Sequence, residues 1–147
     1  MYIKKVLIPS NFSDVSNKAI EVALPMIAQL GADIVFVHIL ERIDHPDPLS
    51  KLFDKGYAYL TNRAQTLLND LVMLAKGRGM RADSELLEGA PYIEVLKFAD
   101  KIGADLIIMA THGRRGFNRL ILGSQAEKIV RMATGPVTTI RVSETAS

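Results

Sequence analysis

Apolar positions along the chain follow two rhythms. Short, nearly unbroken runs such as Lys4-Lys-Val-Leu-Ile-Pro9, Asp33-Ile-Val-Phe-Val-His-Ile-Leu40 and Leu106-Ile-Ile-Met109 alternate with longer stretches in which apolar residues recur every third or fourth place. The first rhythm suits strands covered on both faces. The second suits helices that lay one stripe on a core. Lys4–Pro9 is thus the first strand. Ser13 is placed to cap a helix running to about Leu30, with Ile20, Leu24, Ile27 and Leu30 on one face and Gly31 past its end. Asp33–Leu40 is the second strand. Residues 41 to about 54 break the rhythm, and Asp44, Pro46, Asp47 and Pro48 mark an irregular loop. A second helix is expected from Lys55 to Lys76, with Leu60, Ala64, Leu67, Leu71 and Leu74 in phase, stopped by Gly77-Arg-Gly79.

Arg81–Leu87 reads as a third, weaker strand. Gly89-Ala-Pro91 leads into a third helix, with proline in the first turn where its missing N–H costs little, and Gly103 ends it. Asp105–Ala110 is the fourth strand. A helix from Gly123 to about Ala133 turns Ala126, Ile129, Val130 and Ala133 inward, Gly135-Pro136 closes it, and Val137–Val142 is the fifth strand before a loose tail at Ser143–Ser147. Met26, Met73, Met109 and Met132 read as core packing.

Strands separated by helices imply right-handed crossovers, hence an α/β, doubly wound, five-stranded parallel sheet with helices on both faces. Winding outward from the first strand gives the order 3-2-1-4-5. Ligands of such sheets sit beyond the carboxyl ends of the strands, where the order reverses. Here the reversal falls between strands one and four, and the loops there are Pro9–Ser13 and Ala110–Ser124.

A length of 147 residues suits a single domain spanning 1–147. The chain lacks cysteine, which removes disulfides and thiolate metal sites. The opening apolar run stops at Pro9, short of a secretory signal, and no stretch approaches the ~20 apolar residues of a membrane helix. The expectation is a cytoplasmic protein without membrane contact. A net charge of +2 gives no ground for nucleic acid as a partner.

The chemistry concentrates in Ala110-Thr-His-Gly-Arg-Arg-Gly-Phe-Asn-Arg-Leu-Ile-Leu-Gly-Ser124. A strand ends, a basic loop with glycines follows, and a Gly-Ser pair opens a helix. Glycines let backbone approach an anion closely, and the free N–H groups and dipole of a helix start favour negative charge. The loop therefore reads as a phosphate cradle and the ligand as a nucleotide. Gly113, Gly116 and Gly123 can also serve as turn residues, though their place before a helix favours the phosphate reading, and Ser124 can start its helix while facing a phosphate. Arg114, Arg115 and Arg119 are either a solvated basic loop or phosphate partners. His112 has no visible partner and reads as structural or solvent-facing rather than catalytic, His38 as packing, and His45 as part of an acidic loop. The three histidines lack metal-ligand spacing.

These residues resemble the universal stress proteins of the UspA type, over nearly the whole chain. The ATP-binding branch carries glycine, two residues, glycine, nine residues, then Gly-Ser or Gly-Thr. Gly113, the nine residues Arg114 to Leu122 and Gly123-Ser124 match it, with Ala110 in place of the first glycine. Pro9-Ser-Asn-Phe-Ser13 is similar to the family's Pro-x-Asp-x-Ser, with Asn11 in place of the acid. The resemblance implies Pro9, Asn11 and Ile39 around adenine and ribose, and Ala110, Gly113, Gly123 and Ser124 around the triphosphate, with Arg114 beside them. It implies ATP as ligand, with or without Mg. It also implies a symmetric homodimer through Val137–Val142, whose threonines suit an edge open to pairing. An unidentified protein partner would sense the bound state.

Phosphoryl transfer needs a carboxylate for magnesium and a group to position the nucleophile. From Leu106 to Ala126 the sequence holds no Asp or Glu, so a switch with little or no hydrolysis is expected. Two alternatives stand beside it. One is a nucleotide-free dimeric interaction module of the same family. The other is an adenylating enzyme with a Ser-Gly-Gly-x-Asp-Ser loop, against which Pro9-Ser-Asn-Phe-Ser-Asp14 lacks both glycines.

Overall fold

A computed structural model of the chain describes residues 2–41, 50–113 and 123–143. The elements follow in the order β1 (Lys5–Pro9), α1 (Asp14–Leu30), β2 (Asp33–Leu40), α2 (Ser50–Gly77), β3 (Ala82–Glu88), α3 (Pro91–Ile102), β4 (Leu106–Gly113), α4 (Ser124–Met132) and β5 (Val137–Ser143). All strand pairs are parallel, in the order β3-β2-β1-β4-β5, as the alternation of rhythms predicts.

Local chemistry explains the helix ends. Ser13 caps α1, its Oγ accepting the Ser16 N–H at 3.1 Å, and Gly31 closes the helix at φ 67°, a left-handed conformation that glycine adopts without strain. Pro91 opens α3 at its first position, and Gly103, at φ 66°, ends it.

Alternate residues of each strand point to opposite faces, so the core has two leaves. On one, Val6, Ile8, Ile34, Phe36 and Ile108 pack under α1 and α2 through Ala19, Ile20, Leu24, Ile27 and Leu68. On the other, Leu7, Val37 and Ile107 pack under Val95 and Phe98 of α3 and Ile129 of α4. Each buried Leu, Ile or Phe contributes about 1.5–3 kcal/mol. At the base of the sheet Asp105 joins β1 to β4: its Oδ2 accepts the N–H groups of Lys4 (2.9 Å) and Lys5 (3.0 Å), and its own N–H donates to the Lys5 carbonyl at 2.8 Å.

Several expectations are corrected. Helix α2 starts at Ser50 rather than Lys55, inside the stretch expected to be loop, and continues through Gly77. Its buried phase is Ala64, Leu68, Leu71 and Ala75, while Leu60 is exposed. Strand β4 runs three residues past Ala110, and β5 includes Ser143, because the two strands pair as far as Gly113↔Ser143. Met26, Met73 and Met132 are exposed rather than in the core, and only Met109 is half-buried against it. Leu30 and Val130, expected inward, are exposed as well. Residues 42–49 of the expected loop, with His45, and the tail after Ser143 lie outside the described residues.

Candidate functional site

Strand β1 pairs with β2 along its whole length, from Lys5↔Asp33 to Pro9↔Val37, but with β4 only at Val6↔Leu106 and Leu7↔Ile107. Above that point the two strands part, and the crevice expected at a reversal of strand order opens between them. Beneath it, Ile8, Pro9, Ser16, Ala19, Met109 and Ala110 close the gap to water-sized molecules.

One wall is the turn after β1, which is bonded throughout. The Ser10 N–H donates to the Val37 carbonyl at 2.9 Å. Buried Ser10 Oγ lies 3.0 Å from Ser16 Oγ of α1 and accepts the Phe12 N–H at 3.1 Å. The Asn11 Oδ1 accepts the Ser13 N–H at 3.0 Å. His38 Nδ1 approaches the Ser10 carbonyl at 2.6 Å. A carbonyl only accepts, so Nδ1 carries the proton. The His38 ring in turn packs against Phe12, with centroids 4.4 Å apart. These contacts hold Phe12 at φ 63°, the one positive φ of a non-glycine among the described residues. His38 is thus a packing and positioning residue, as its sequence context suggests. Ser10, Phe12 and Ser16 do not stand out in the sequence as site residues; the serines at every third place from 10 to 16 are the one hint, and Phe12 has none.

Pro9 ends β1 and Asn11 stands exposed in the turn. Ile39, half-buried in β2 opposite Leu87, is on the α3 side of the sheet.

The other wall belongs to β4 and α4. Ala110 pairs with Ile140 and packs against the α1-side core without a positive φ, so its methyl strains no backbone. Gly113 lies on the strand rather than in a loop. Gly123 is the N-cap of α4 at φ −56°, ψ 155°, and it offers no side-chain acceptor to the first turn. Among the described residues, nothing lies within 4 Å of a Cβ built on it. The first internal bond of the helix runs from the Glu127 N–H to the Gly123 carbonyl, 2.9 Å, so the amides ahead of it have no partner within the helix. Ser124 begins the helix and is exposed. Arg114, Arg115, Gly116 and Arg119 lie outside the described residues.

On α4, Gln125 accepts the Tyr92 N–H of α3 on its Oε1 at 3.0 Å, and Lys128 Nζ sits 4.8 Å from the Tyr92 ring centroid. Sequence reasoning singled out none of these three. Among the described residues no cluster of three His, Asp or Glu could hold a metal ion, and no helix is long and apolar enough to cross a membrane.

The universal stress protein family model matches residues 2–141. The chain is 31% identical over 139 residues to universal stress protein MJ0531 of Methanocaldococcus jannaschii, covering 94% of this chain and 82% of that protein. It is 33% identical over 140 residues to a universal stress protein of Thermus aquaticus, covering 94% and 98%. Among solved structures, MJ0577 of M. jannaschii superposes with TM-score 0.83 at 21% identity over 99% of this chain and 100% of that one. A universal stress protein of Archaeoglobus fulgidus, solved in complex with dAMP, gives 0.67 at 20% identity over 95% and 99%. One in complex with cAMP gives 0.62 at 21% over 96% and 98%. The structures share the fold, and the family match with relatives above 30% identity settles the kinship: the chain belongs to the universal stress protein family.

Proposed function

We propose that this protein binds ATP in the crevice above β1 and β4 and acts as a nucleotide-dependent switch in a stress response, with little or no hydrolysis. The observation that carries this is the start of α4: a glycine N-cap that meets nothing within 4 Å of a built Cβ among the described residues, and first-turn amides without a side-chain cap, near the reversal of strand order at which sheets of this kind bind ligands. In this reading Gly113, Arg114, Gly123 and Ser124 hold phosphates, with Ala110 beneath them, and Pro9, Asn11 and Ile39 face adenine and ribose. The complexes of two structural relatives with dAMP and cAMP support an adenine nucleotide. The test is nucleotide retained by protein purified from cells, identified by mass spectrometry after denaturation, together with titration of ATP. Retained adenine nucleotide and saturable binding are expected.

Asn11 favours a second reading, a nucleotide-free dimeric module. Its carboxamide oxygen is already bonded to the Ser13 N–H, and a neutral amide makes weaker bonds to ribose hydroxyls than a carboxylate. Absence of bound nucleotide with an intact dimer would select this reading.

Both readings include a homodimer through β5. The Ile107 N–H donates to the Pro136 carbonyl at 3.1 Å, and Ile107 is in register with Val137. In a parallel ladder this turns the amides of Thr138 and Ile140 toward β4 and those of Thr139 and Arg141 to the open edge. Thr139→Pro therefore removes a pairing donor without touching the β4 ladder. A monomer by light scattering is expected, and a retained dimer would place the interface elsewhere.

A further inference from the structure

We infer that Gln125 is a positioning residue of the nucleotide site, tying the phosphate-binding start of α4 to α3; the inference rests on the ATP-binding reading above. Helix α3 cannot satisfy its own first turn. Its N-cap Ala90 has no side-chain acceptor and Pro91 has no N–H, so Tyr92 presents the first donor in need of a partner. The acceptor comes from another helix, 33 residues away, as the Oε1 of Gln125. Gln125 is the second residue of α4, and its own N–H is one of the first-turn donors a phosphate would use. Lys128, one turn further along α4, reinforces the contact over the Tyr92 ring.

The two helices differ in anchorage. Val95, Phe98 and Ala99 bury α3 against the sheet, whereas α4 buries only Ala126 and Ile129 and starts at the exposed Gly123 and Ser124. Helix α3 is the fixed post, and the Gln125 carboxamide sets the angle at which the α4 amides meet an anion. Hydrogen bonds weaken steeply with misalignment, so releasing this tie costs affinity only for ligands that carry phosphate. The base side, built on β1 and β2, is untouched.

The experiment compares ATP and adenosine binding by wild-type protein and Gln125→Met, which keeps the length of the side chain but removes the strong acceptor. ATP affinity is expected to fall about 10-fold, the loss of one charge-assisted contact, while adenosine affinity stays within about twofold. Amide exchange at Tyr92, followed by NMR, is expected to accelerate in Gln125→Met and to return to the wild-type rate in Gln125→Glu, which restores an acceptor. Equal losses for both ligands, no loss for either, or unchanged Tyr92 exchange would overturn the inference while the nucleotide reading stands. Wild-type protein that binds neither ligand would overturn both.

Discussion

The two walls of the crevice are built in opposite ways. The β1–α1 turn spends its polar groups on itself: Ser10, Asn11, Ser13, Ser16 and His38 all bond within the protein, and together they hold Phe12 in a left-handed conformation. The start of α4 has first-turn amides without an internal partner or a side-chain cap, behind a glycine that meets nothing among the described residues. The first wall is shaped before any ligand arrives, and damage to it should appear as lost stability. In the proposed function the ligand would complete the second, and damage to it should then appear as lost binding with the fold intact.

The strongest way to break that contrast is Gly123→Val. The backbone there is ordinary for valine and the space is open among the described residues, so the melting temperature should move by no more than a few degrees. In the proposed nucleotide site the added side chain would stand in the anion's place and should cost on the order of 100-fold in ATP affinity, the loss of about two charge-assisted bonds, as read by calorimetry. A large drop in melting temperature would show that the glycine serves the fold.

Ser16→Ala probes the other wall. It leaves the buried Ser10 hydroxyl without its partner 3.0 Å away, and should lower the unfolding free energy by roughly 2 kcal/mol in urea with ATP affinity nearly unchanged. If affinity falls more than stability, the turn is not preformed.

Ala110→Gly is the mildest case. It restores the glycine of the family pattern, but Ala110 is in a regular strand with its methyl against the α1-side core. The substitution should cost about 1 kcal/mol of stability through backbone entropy and lost burial and bring no gain in ATP affinity. Tighter ATP binding by the variant would show that the methyl obstructs the site.

The architecture was legible in the sequence because the central strands β1, β2 and β4 are covered on both faces and each helix on one, and those demands write distinct periods into the chain. Strand β2 matches its expected bounds, and the strand order follows from the crossovers. What was lost is what tertiary contact decides. Thr111, His112 and Gly113 look like loop residues, yet β5 carries them as strand. The two prolines at 46 and 48 suggest a long loop, yet α2 begins just past them. Val22, Met26 and Leu30 recur every fourth place on α1, off the buried face, so their spacing mimics a core stripe. For the site, the glycine loop stands out in sequence because phosphate needs bare backbone. The Ser10–Ser16 pair and the Gln125–Tyr92 bond leave no such trace, since each joins residues that only the finished fold brings together.

The Asp105 tie also has a consequence for how the protein is made. It joins Lys5 to a carboxylate 100 residues later, and β1, at the centre of the sheet, keeps one side unpaired until that segment exists. At a synthesis rate of about 5–20 residues per second, a newborn chain waits several seconds with its middle strand half-clothed. The earlier strands and helices can gather meanwhile, but the crevice cannot form. Ribosome-bound fragments ending before β4 therefore carry a sticky, unfinished sheet edge, and the proposed nucleotide site would be among the last features the molecule acquires.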